Sequence, residues 1–256
     1  MNTTFRNERL LAIGVLVLCV LTFLLPSIQQ SQAYHHFADD RTLWGIPRAL
    51  DSLSNIGFLV LGLYGGAMVA GNRLDFFSKS LKALASVFFA GLVITAAGST
   101  YYHLAPDDAG LVVDRMSMVI VFAGMLGMAA AHHISERAGW AMLALGLVLG
   151  PLSVLEWAIT GTLTPYAVMQ FGGIALACCM MFSPKRGIGP AWWGLLITYA
   201  LAKLFETFDP AVFELTHHLA SGHTLKHLFA ALPALAVTIP LKRRAASCSF
   251  NRSVTN

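Results

Sequence analysis

The chain has 256 residues, of which 56% are hydrophobic and 12% charged, against roughly a quarter charged in soluble domains. That balance excludes an ordinary soluble domain and describes an integral membrane protein. The net charge of +4 is spread over short loops rather than gathered in a patch, which excludes a nucleic-acid surface.

Apolar segments near the roughly 20 residues of a spanning helix run over 10–28, 52–71, 81–103, 111–132, 139–160, 165–183, 191–208 and 223–241. The first follows Arg6 and Arg9 and ends before Ser31-Gln32-Ala33. Residues 1–33 are therefore either a signal peptide with a small-x-small cleavage site or an additional N-terminal transmembrane helix. Residues 34–50 are expected to form an exoplasmic segment, 51–241 a seven-helix membrane domain, and 242–256 a basic cytoplasmic tail. The breaks between runs are short and rich in Gly, Pro, Asp and Ser, as in LAPDDAG and SPKRGIGP. The fold class is all-α integral membrane. Cys19, Cys178, Cys179 and Cys248 show no metal or disulfide spacing and read as packing residues.

Positive charge sets the orientation. One side carries Arg6, Arg9, Arg73, Lys79, Lys82, Arg137, Lys185, Arg186 and the tail residues Lys242, Arg243, Arg244 and Arg252. The other carries Asp39, Asp40, Asp107, Asp108, Asp209 and Glu214 with Arg41 and Arg48. The basic side, with the C-terminus, is expected in the cytoplasm. The acidic side is exoplasmic, which for a bacterial inner membrane means periplasmic.

Ionisable residues inside apolar helices are expensive and usually functional, and here they share a layer. Asp51 opens its run, with Ser54 and Asn55 a turn later. Ser99 and His103 close theirs, and Asp114 opens the next. Lys203 and Glu206 come late in theirs, while His223 and His227 begin the last. Alternating helix direction brings all of these to the exoplasmic end.

Residues four apart on a helix share a face, so His223 and His227 can ligate one metal ion. His103, at the same depth, supplies a third ligand. Three histidines with one open position describe a catalytic zinc site rather than a structural one. Ser99 shares a face with His103, and Asp114 re-enters the layer as a carboxylate able to take a proton from a metal-activated water.

The string 98-GSTYYHLAPDDAGLVVDRMSM-118 resembles the GSxxFH…LDE…M signature of the alkaline ceramidases. The pair in 223-HTLKH-227 resembles their final HxxxH, and 51-DSLSNIGF-58 resembles their NTxSN segment. The wider superfamily comprises seven-helix membrane hydrolases and includes the adiponectin-receptor-like proteins. The resemblance implies that His103, His223 and His227 hold zinc and that Ser99 holds the water or polarises the oxyanion. Asp114 would be the general base. The implied substrate is a ceramide-like lipid, cleaved at its amide to a fatty acid and a sphingoid base. The alternative is a non-catalytic or differently specific receptor or transporter of the adiponectin-receptor-like type. The family's calcium-binding cluster does not align here, which leaves Asp39, Asp40 and Asp51 as the candidates for calcium. Arg115 replaces the Glu of the LDE triplet, with consequences for headgroup recognition.

Asp51, Ser54, Asn55, Arg115, Lys203 and Glu206 are expected to support the site or touch substrate. Lys203 and Glu206, at i and i+3, also read as an ion pair shielding charge within the bundle. Glu156 is either a supporting partner or a buried group bonded to a neighbouring helix. His132 and His133 are expected to bond backbone at the far end, and His35, His36, His217 and His218 to serve the surface.

Overall fold

The apolar runs become helices because twenty or so consecutive apolar side chains leave the backbone only its own carbonyls to bond in lipid. A computed structural model describes residues 3–183 and 187–239. Lys185, Arg186 and the tail 242–256 lie outside the described residues. The helices are α1 (Thr3–Leu24), α2 (Ala49–Ser54), α3 (Ile56–Ala70), α4 (Lys79–Leu104), α5 (Asp108–His133) and α6 (Glu136–Thr160). They continue with α7 (Thr164–Ala167), α8 (Gly173–Met181), α9 (Trp192–Thr207), α10 (Asp209–Leu215), α11 (Gly222–Ala231) and α12 (Pro233–Thr238). No β-strand occurs among the described residues.

Short polar residues begin the helices that matter most. Ser78, Asp107, Ser135 and Ser221 each accept a hydrogen bond from a backbone N–H in the first turn of α4, α5, α6 and α11, satisfying donors that the helix itself leaves unpaired. Asp107 is thus the cap of α5.

Six helical stretches are long and apolar enough to cross a membrane among the described residues: α1, α2–α3, α4, α5, α6 and α7–α8. The last two apolar runs fall short. α9 has 16 residues, about 24 Å at 1.5 Å per residue, against a hydrocarbon core of about 30 Å. The final run is divided at Pro233, which lacks the N–H needed to continue the ladder from α11.

Phe88, Phe89, Leu84 and Leu92 of α4 and Met128 of α5 are among the most buried side chains of the bundle. α1 lies at its edge. Glu8 accepts from Ser135 Oγ at 2.6 Å and pairs with Arg137. Past the helix, Ile28 N donates to Thr164 Oγ1 and Leu163 N to the Ile28 carbonyl. Between α1 and α6–α8 runs a groove of about 690 Å³. Glu156 is exposed and lines this groove, so it is not the buried group considered above.

The end of α4, the start of α5, the start of α2, the end of α9 and the start of α11 converge at one end of the bundle. The segment 34–50 lies across them. That convergence builds the site.

Candidate metal centre

α11 is anchored before it presents a histidine. A Cβ on Gly222 would stand 2.3 Å from the Phe205 carbonyl oxygen and 2.7 Å from Asp209 Cα, so only glycine permits this approach. Asp209 Oδ1 accepts the His223 N–H at 2.7 Å, while Oδ2 accepts that of Ala38 at 3.0 Å. His223 is thereby fixed to the end of α9–α10 and to the 34–50 segment. His227 follows one turn later, and His103 arrives from the last turn of α4.

The three rings form an equilateral arrangement, each pair of centroids 4.8 Å apart. His103 Nε2 and His223 Nε2 are 3.3 Å apart. Tetrahedral metal–nitrogen bonds of about 2.0–2.1 Å put neighbouring ligand nitrogens about 3.3 Å from one another. All three histidines are buried, and one nitrogen from each lies within 4.8 Å of the others. They could hold a metal ion.

The tautomer of His227 is fixed from behind. Its Nδ1 lies 2.8 Å from Ser54 Oγ and 3.2 Å from the Asp51 carbonyl oxygen. A carbonyl can only accept, so Nδ1 carries the proton and Nε2 keeps its lone pair for a metal. Asn55 Nδ2 donates to the backbone carbonyls of Asp51 and Ser52 and braces this turn. The Asp51 carboxylate accepts from Ser221 Oγ at 2.9 Å and Thr224 Oγ1 at 2.6 Å, tying α2 to α11. Asp51, Ser54 and Asn55 therefore position His227.

Ser99 and Asp114 meet where α4 and α5 touch. A Cβ on Gly98 would come within 2.9 Å of Ser117 Oγ and 3.1 Å of the Val113 carbonyl oxygen, so the backbones approach closely there. The Ser99 side chain neighbours the Asp114 carboxylate. Asp114 Oδ1 is buried with no partner among the described residues.

Lys203 Nζ meets Glu206 Oε2 at 2.6 Å, the expected ion pair, but it is not isolated. Lys226 Nζ reaches Glu206 Oε1 at 3.0 Å and His223 Nε2 at 3.3 Å. Tyr34 donates its hydroxyl to Glu206 Oε1 at 3.3 Å. Burial, then the neighbouring Glu206, pushes the Tyr34 phenol well above its ordinary range, so it serves as a neutral donor.

Arg115, next to Asp114 in sequence, is buried in an aromatic cage. Its guanidinium carbon lies 4.2 Å from the ring centroid of Trp157, 4.9 Å from Tyr166 and 5.7 Å from Tyr34, distances suited to cation–π attraction. Nη2 donates to Gln30 Oε1.

The 34–50 segment covers the histidines. The Phe37 ring packs 4.7 Å from that of His103 and 4.6 Å from that of His223. His35 is drawn in beside it, bonding Tyr102 Oη and Asp108 Oδ1, which corrects its surface assignment. Two of the acidic residues weighed for calcium have partners of their own. Both Asp39 oxygens take the Arg41 guanidinium, and Asp51 Oδ1 takes two hydroxyls. Among the described residues, the three histidines are the one group of three or more histidine, cysteine or carboxylate side chains suited to a metal.

At the far end, His132 accepts from Trp192 Nε1 at 2.8 Å, and His133 Nδ1 faces the Ser183 carbonyl. These are buried structural contacts. His218 stays at the surface against Glu214.

Lys226, Asp209, Phe37 and Tyr34 were not expected in the site. Lys226 carried a signal: it stands at i+3 from His223 inside HTLKH and so shares its face. The other three had none, because their partners are distant in sequence.

No protein-family model matches this chain, and no curated protein matches it.

Proposed function

We propose that the chain is a zinc-dependent intramembrane hydrolase that cleaves the amide bond of a ceramide-like lipid to a fatty acid and a sphingoid base. The observation that carries the reading is the convergence of His103, His223 and His227, buried, with ligand nitrogens at metal-binding spacing. The motif resemblance to alkaline ceramidases supplies the substrate class.

Zinc, when bound, supplies Lewis acidity that makes water nucleophilic near neutral pH. The chain's own residues do the rest. Asp114, with an unpartnered oxygen, accepts the proton of the attacking water and returns it to the leaving amine nitrogen. Ser99, beside it, holds the water or polarises the developing oxyanion. Ser54 and the Asp51 carbonyl keep His227 in its ligating tautomer. The Phe37 cover limits water around the reacting group, strengthening electrostatic contacts within.

α9 and α11–α12 complete a core of seven helices in this reading, with tilt and flanking polar residues accommodating their shorter lengths. The bundle sits in a bacterial inner membrane with its site towards the periplasm, as the loop charges direct.

Elemental analysis of gently purified protein should give about one zinc per chain, and His223→Ala or His103→Ala should abolish it. Lipid profiling of a membrane extract before and after incubation should show an N-acyl sphingoid lipid falling as free fatty acid rises. Zinc-loaded protein that leaves every lipid amide intact would favour the receptor or transporter reading instead.

A further inference from the structure

Lys226 is the group in the site with no role so far. It lies between two of the histidines in sequence and on the face of the first. Its Nζ has two partners among the described residues, Glu206 Oε1 at 3.0 Å and His223 Nε2 at 3.3 Å. An ammonium has three donors and no acceptor. His223 Nε2 is also the atom that lies 3.3 Å from His103 Nε2, so Nζ sits at the edge of the proposed metal position itself. Once that nitrogen's lone pair is committed to a metal, the donor aimed at it must find another acceptor in the same place.

The charges around it lead the same way. Glu206 is one carboxylate shared by two ammonium groups, Lys203 at 2.6 Å and Lys226 at 3.0 Å. Lys203 takes one Glu206 oxygen and Lys226 the other, so one carboxylate serves two ammonium groups beside the histidines, where burial makes a weakly paired charge costly. Asp114 acts on Lys226 through space, with no hydrogen bond between them among the described residues. An ammonium held by a fixed carboxylate, facing the histidines and with a donor to spare, is built to receive an anionic oxygen.

We infer that Lys226 is a substrate-contacting residue: oriented by Glu206, its ammonium donates to the amide carbonyl oxygen as negative charge develops there, and then to the carboxylate of the released fatty acid. The inference rests on the hydrolase reading above and adds to it a lysine arm that binds the acyl half of the substrate. No proton leaves Lys226; it contributes charge and a hydrogen bond. Lys203 braces Glu206 from the other side and keeps the arm from collapsing onto the carboxylate alone.

The test uses full-length protein in detergent loaded with cobalt(II), whose visible spectrum reports ligands at the metal without turnover. Titration with laurate should shift the wild-type spectrum and saturate. Lys226→Met should retain one cobalt per chain yet bind laurate about tenfold or more weakly, since a charge-assisted contact is lost. Lys226→Arg should restore part of the affinity. Equal laurate affinity in wild type and Lys226→Met would overturn the inference while leaving the hydrolase reading intact. Wild-type protein that takes up no cobalt would overturn both. Should Lys226→Met not fold, Lys226→Gln carries the same expectation, and unchanged affinity in it would have the same consequence.

Discussion

His227 Nδ1 and Ser54 Oγ lie 2.8 Å apart, joining the last helical run to the first core helix across 173 positions of sequence. Ser54 Oγ donates its own hydrogen to the Asp51 carbonyl at 2.9 Å, so it can only accept from the imidazole. The hydroxyl thereby holds the ring in the tautomer that offers Nε2 to a metal. Ser54→Ala should leave the fold intact but weaken metal binding about 10–100-fold, the usual consequence of losing a bond behind a ligand. Competition against a chromogenic chelator measures it; unchanged affinity would show that the Asp51 carbonyl alone suffices.

Asp114→Asn separates proton transfer from metal holding. Asparagine keeps the shape and the three histidines are untouched, so the metal content should not change. Turnover should fall about 10²–10⁴-fold. Full activity in this variant would move the role of base to another carboxylate, with Glu206 the next to test.

The backbone contact at Gly222 predicts a stability effect with a built-in control. Gly222→Ala places a methyl 2.3 Å from the Phe205 carbonyl, forcing the start of α11 to move at a cost of about 1–3 kcal/mol. Thermal unfolding should occur at lower temperature, and metal should bind more weakly because His223 moves with the helix end. Gly66→Ala has nothing within 4 Å of the new methyl and should leave both properties unchanged. If the two variants behave alike, the anchoring of α11 is not what orders the histidines.

The proposed orientation is tested in intact cells. In a background without the native cysteines, Ala109→Cys and Asn72→Cys place exposed thiols at opposite ends of the bundle. A membrane-impermeant maleimide should label the first and spare the second. The reverse pattern would turn the site towards the cytoplasm.

The positions of the helices, the depth of the polar layer and the HxxxH pair were legible in the sequence because each is a local property. Apolar run length, loop charge and a four-residue spacing on one helix need no knowledge of what lies across the bundle. His103, Ser99 and Asp114 could be added because a single short turn joins their helices and fixes their depth. Local reading had its limits even among helices: the runs over 191–208 and 223–241 looked like full spans, but the first forms a helix of 16 residues and the second is divided at Pro233.

Tertiary structure alone decided which side chains face one another. Asp209 holds the His223 amide, Phe37 covers two of the imidazoles, and Tyr34 bonds Glu206 across 172 positions. It also turned an expected Lys203–Glu206 pair into a two-lysine arrangement that reaches His223. These contacts depend on helix rotation and on the path of an irregular segment, which are set by side-chain packing over the whole bundle rather than by any short stretch of chain. Local pattern specifies the membrane bundle and its candidate histidines; the fold specifies their partners, because a hydrogen bond needs a position and a direction that no periodicity encodes.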